Sequence, residues 1–186
     1  MGRIDQLLAA YSRQISLPLK FDLPLSQRVW FVVYPPEEER RLATRIGEFE
    51  IATKDAKLAW KLIDLQGVFA DWMDTFDPEE REQCLANQDI LENYADPFFK
   101  EFVCNRISAA LVEPPETAGN QTVFAVTGLM DLYDFVHVST VVEGLDKTFP
   151  GILLLFFPGD REGNSYSFLG ARTGWNYLAL PILAES

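Results

Sequence analysis

GILLLFF, residues 151–157, is followed directly by PGDREGN, residues 158–164. No polar side chain interrupts the first seven positions. A strand with one wet face alternates apolar and polar residues, so a strand that is apolar on both faces is buried on both. Two further runs read the same way: Arg28 to Tyr34, with Val29, Trp30, Phe31, Val32 and Val33, and TVFAVT at residues 122–127. Sheets with such strands are mostly parallel and carry helices on either side. Pro158 to Asn164 then reads as a polar loop.

Working outward, the apolar runs alternate with helical patterns. Ile4, Leu7, Leu8, Tyr11 and Ile15 recur at helical spacing. Pro36 with Glu37, Glu38 and Glu39 starts a second helix, whose inner face is Leu42, Ile46 and Phe49, with Arg40, Arg41 and Arg45 on the other side. Leu58 to Asp64 reads as a second strand, followed by a short segment with Phe69, Trp72 and Met73. Asp77-Pro78-Glu79-Glu80 is a helix start of capping-box type. Asp96-Pro97 begins a helix with the stripe Phe99, Phe102, Val103, Ile107, Ala110 and Leu111. Val138 to Leu145 reads as a short helix and Tyr177 to Leu183 as the last strand. The expectation is an α/β fold: a single domain over residues 1–186, with a mostly parallel sheet of about five strands and helices on both faces.

Composition narrows the function. The chain has 186 residues, 48% of them hydrophobic, with 16 basic against 28 acidic side chains and a net charge of −12. An acidic body repels phosphates, so direct nucleic-acid binding is not expected. The two cysteines, Cys84 and Cys104, fit no zinc or redox spacing and read as buried thiols. The absence of a leader and of a long apolar run implies a cytoplasmic protein with no membrane partner.

In such a sheet, a nucleotide site would place glycines and a lysine in the turn after the first strand. That turn is Pro35-Pro36-Glu37-Glu38-Glu39, whose prolines lack N–H donors and whose carboxylates repel phosphate. His137 is the single histidine, so a two-histidine zinc site is impossible and a serine triad is weakly supported; its apolar neighbours make it structural. The acids at strand ends, Asp64, Asp131, Asp134, Asp160 and Glu162, either cap and solvate loops or converge on Mg²⁺ as a metal-dependent nuclease or phosphoesterase would require. Capping is the commoner role for acids, so no metal, no cofactor and no catalytic residue is assigned.

Arg172-Thr173-Gly174-Trp175-Asn176-Tyr177 is the most site-like stretch. Trp175 supplies a large flat face, Asn176 a turn-forming amide and Arg172 a guanidinium fork. They read either as a core-plugging ring with a structural ion pair or as an interface anchor. Aromatic residues make up 13% of the chain, and Trp72, Phe76, Phe98 and Trp175 are rings that a core of this size need not bury. Arg172, Trp175, Asn176 and Trp72 are therefore the expected binding residues.

Four short motifs carry a resemblance across nearly the whole chain: Arg28-Val29-Trp30-Phe31, Arg45-Ile46-Gly47-Glu48-Phe49-Glu50, Phe156-Phe157-Pro158-Gly159, and Gly174-Trp175-Asn176-Tyr177-Leu178-Ala179 before Pro181. In order and approximate spacing they resemble BrxB, a component of the BREX phage-defence systems. Gly170 and Thr173 stand where that family's last motif is expected to carry acids. The resemblance implies a non-enzymatic subunit working beside a phosphatase-like component, a DNA methyltransferase and a large ATPase. The expected five-strand sheet also looks like a degenerate relative of the ATPase sheet, with the phosphate loop lost.

Overall fold

The computed structural model describes residues 2–19, 22–113, 121–145, 148–149, 151–169, 175–176 and 179–184, with only the backbone of residues 96, 175 and 176. Helices α1 (Arg3–Ile15) and α2 (Leu25–Arg28) lead into β1 (Val29–Tyr34). A 3-10 turn (Pro36–Glu38), α3 (Glu39–Ala43) and α4 (Ile46–Asp55) precede β2 (Ala59–Asp64). Next come α5 (Val68–Met73), α6 (Pro78–Ala86), α7 (Gln88–Tyr94), a π-turn (Ala95–Phe99) and α8 (Lys100–Leu111). The rest comprises β3 (Thr122–Thr127), a 3-10 turn (Leu129–Leu132), α9 (Val138–Gly144), β4 (Gly151–Glu162), β5 (Ser165–Phe168), β6 (Trp175–Asn176) and β7 (Leu180–Ile182).

The main sheet runs β2-β3-β4-β1-β7, and every pairing along that path is parallel. The period-2 alternation divides the core in two. Val29, Phe31, Val33, Phe124, Val126, Leu153, Leu155 and Phe157 pack with α5, α8 and α9. Trp30, Val32, Tyr34, Val123, Ala125, Ile152, Leu154 and Phe156 pack with α1 and α4. On that second face the Tyr11 hydroxyl is 2.6 Å from Thr53 Oγ1, which itself donates to the Phe49 carbonyl. Burial raises the Tyr11 pKa, partly offset by the Thr53 contact. The expected α/β sheet with helices on both faces is thus the fold.

Three local expectations are corrected. Residues 158–162 are not loop: β4 continues through them and pairs antiparallel with β5, Gly159 opposite Phe168 and Glu162 opposite Ser165. Pro158 sits where the ladder to β1 ends, opposite Tyr34, a place where a missing N–H is tolerated. A Cβ on Gly159 would lie 2.1 Å from the Ser167 carbonyl, so the incoming β5 backbone requires glycine. Gly163 (φ +59) and Asn164 close the hairpin in two residues, as primed turns do.

Asp96-Pro97 does not start a helix, because α7, capped by Asn87, runs into α8 through the π-turn. The helix after β1 is broken at Thr44-Arg45, and Arg45 bridges α4 to α1, 2.7 Å from both Asp5 and Glu48. Asp77 does cap α6, accepting from the Glu79 and Glu80 amides at 2.9 and 3.0 Å. Cys84 and Cys104 are free and buried.

Candidate functional site

In an open parallel sheet, ligands bind beyond the carboxyl ends of the strands. Two hollows open there, one on each face, because consecutive strand residues point to opposite sides.

The first, about 520 Å³, lies on the α1/α4 face between the ends of β1, β2 and β3, with Leu42, Ile46 and Phe156 as its apolar lining. Its polar groups mostly hold the protein together. Asp64 Oδ1 accepts from the Gln66 amide at 3.0 Å and from the Thr127 hydroxyl at 3.1 Å. Asp131 accepts from the Gly67 amide, and Tyr34 donates its hydroxyl to Glu39. Burial, then the Glu39 hydrogen bond, pushes the Tyr34 pKa well up. Gly128 has φ +75, and a Cβ there would stand 2.3 Å from the Gln66 nitrogen. This crossing of the β2 and β3 loops therefore needs glycine. The turn after β1 has Pro35 at the helical cap position and Pro36 in the first turn, with no side-chain cap.

The second hollow, about 280 Å³, lies on the other face. Its walls come from the loop between the 3-10 turn and α9, from β4 and from the β5 arm of the hairpin. Tyr133, Phe135, Phe157, Tyr166 and Phe168 line it, with Asp134, His137 and Ser139 as its polar groups. The Phe157 and Phe168 centroids are 5.4 Å apart at 52°, and those of Tyr133 and Phe168 are 6.1 Å apart at 48°. Phe157 and Tyr166 are nearly fully buried, whereas Tyr133 is 42% exposed. The Tyr166 hydroxyl donates to the Ala179 carbonyl at 3.1 Å, and burial raises its pKa against the opposing influence of Arg161. The Arg161 guanidinium already lies over this ring, 5.7 Å from its centroid.

The strand-end acids are thus divided. Asp64 and Asp131 line the first hollow and Asp134 the second, while Asp160 and Glu162 belong to the hairpin. Among the described residues, no three of His, Cys, Asp or Glu form a group able to hold a metal ion. His137 is exposed and occupies the N-cap position of α9, with no side-chain cap hydrogen bond.

Of the expected binding residues, Arg172 lies outside the described residues. Trp175 and Asn176 form β6, paired with Tyr166 and Ser165, and only their backbone is described. Trp72 is corrected: it is 4% exposed and packs against Phe69, Phe76 and Phe99, so it is a core ring. The ring left in solvent nearby is Phe98, 52% exposed, beside Tyr94. The aromatic hollow has little signature in the sequence, because residues 129–137 have no clean period; the density of Tyr133, Phe135 and Phe168 is its one signal. Comparison with protein-family models, with curated proteins and with solved structures returns no match.

Proposed function

We propose that this chain is a non-catalytic assembly subunit of a bacterial phage-defence system of the BREX type, holding a larger partner in the cytoplasm. The observation that carries the reading is the surface of the α6–α7–π-turn segment. Leu85, Tyr94 and Phe98 are exposed there, at 58%, 42% and 52%. Around them, residues 77–94 hold six acidic side chains, Asp77, Glu79, Glu80, Glu82, Asp89 and Glu92, and one base, Arg81. Exposed rings bury much area at little entropy cost, and an acidic segment attracts a basic partner surface. The order of the four BrxB-like motifs supplies the biological setting, with the phosphatase-like component, the methyltransferase and the large ATPase as candidate partners. The alternative, a metal-dependent nuclease, draws no support from the separated strand-end acids.

The test is to recover tagged protein from cells carrying the whole operon. Co-purification of one of those components, weakened by Phe98→Ala by about 2 kcal/mol or more if the ring is a hot spot, is the expected result. Recovery of the chain alone, with defence still lost on its deletion, overturns the reading.

A further inference from the structure

We infer that the aromatic hollow between the β4–β5 hairpin and the loop before α9 is a binding site for an organic cation, a methylated ammonium or guanidinium head group. The inference stands apart from the assembly reading, since it concerns the opposite end of the chain's chemistry: a small, soft charge rather than a protein surface.

Three observations meet there. Five of the ten residues lining the hollow are aromatic; the half-buried Phe168 and the exposed Tyr133, 6.1 Å apart at a tilt of 48°, are rings a ligand can reach, and Phe157, buried and stacked on Phe31, supports Phe168 at 5.4 Å. The faces of such rings are electron-rich and attract a cation within about 6 Å of their centroids. The same cluster already does this internally, with Arg161 over Tyr166.

Second, Asp134 lines the hollow, and among the described residues no hydrogen bond or ion pair engages its carboxylate. This contrasts with Asp64 and Asp131 across the sheet, both of which accept backbone amides. Its backbone is left-handed, φ +65, a conformation that Asp and Asn adopt more readily than other residues with a side chain.

Third, a volume of about 280 Å³ falls just below the usual size of sites for drug-sized ligands. It suits a head group rather than a dinucleotide. A phosphate-bearing ligand would meet Asp134 and a body of net charge −12.

The probes are choline, its uncharged carbon isostere 3,3-dimethylbutanol, and adenosine, titrated into the full chain and followed by NMR. The expected result is saturable choline binding, with the methyl protons moved upfield by the rings and the isostere bound about tenfold more weakly. Asp134→Asn preserves the left-handed backbone and removes the charge. It should weaken choline several-fold and leave the isostere unchanged. Tyr133→Leu changes a half-exposed ring and should weaken choline with no change in melting temperature. Equal binding of choline and isostere, an unaltered affinity in Asp134→Asn, adenosine bound more tightly than choline, or no saturation by any probe would each overturn the inference.

Discussion

Phe156 and Phe157 are neighbours in the chain, yet they line different hollows on opposite faces of the sheet. On the Phe156 side the acids are committed. Asp64 and Asp131 hold the amides of residues 66 and 67, and Gly128 is wedged beneath them. On the Phe157 side the wall is aromatic and Asp134 is uncommitted among the described residues. Function at the end of an α/β sheet is marked by what its acids are bound to. A carboxylate that satisfies a loop amide is part of the scaffold, whereas one left beside a ring-lined hollow can meet a ligand. Proximity to the strand ends, which the two hollows share, does not discriminate between them.

Substitution at the buried rings should have the largest effect. Phe157→Ala removes a buried ring stacked 5.2 Å from Phe31 and in contact with Tyr166 and Phe168. It should cost about 3–5 kcal/mol in denaturant unfolding. A loss under about 1 kcal/mol would mean that the aromatic wall collapses to fill the space, and the hollow would then not be a fixed feature. Gly128→Ala comes next. The left-handed backbone alone costs about 1–2 kcal/mol, and the approach to the Gln66 nitrogen adds to it, so the melting temperature should fall clearly. An unchanged melting temperature would show that the β2 and β3 loops are not locked together.

The acids should give the smallest effects. Asp64→Ala should cost about 0.5–2 kcal/mol, as the loss of a capping acceptor does. Asp134→Asn should stay within about 0.5 kcal/mol of the parent, as surface changes without a structural partner do. Parallel urea titrations check both, and equal losses at the two positions would erase the distinction between the hollows.

What could be read from the sequence follows from the same physics. The double-sided apolar runs at residues 29–34, 122–127 and 151–157 specify a covered parallel sheet because burial on both faces leaves no room for polar side chains. The hairpin was hidden because Pro158 and Gly159 are also what a strand needs when it leaves one ladder and enters another. Trp72 was misread because composition cannot say which rings a core accommodates; Phe69, Phe76 and Phe99 enclose it, while Phe98, one residue from Phe99, stays outside. Neither hollow was legible, since each joins residues from strands and loops far apart in the chain. The second brings the segment 133–139 to Phe157, Tyr166 and Phe168.

The position of β1 has a consequence for how the protein is made. The earliest of the described strands is an inner one, flanked by β4 and β7, which lie far along the chain. Val29 must wait for Leu153, roughly 120 residues later, and at about 5–20 residues per second of synthesis that is on the order of ten seconds. Meanwhile VWFVVY leaves the ribosome with both edges unpaired, and Arg28 before it with Pro35, Pro36 and Glu37 after it are the flanking residues that discourage its aggregation. Pairing β2 with β3 can proceed without it, so that side of the sheet can form while β1 still waits for β4 and β7.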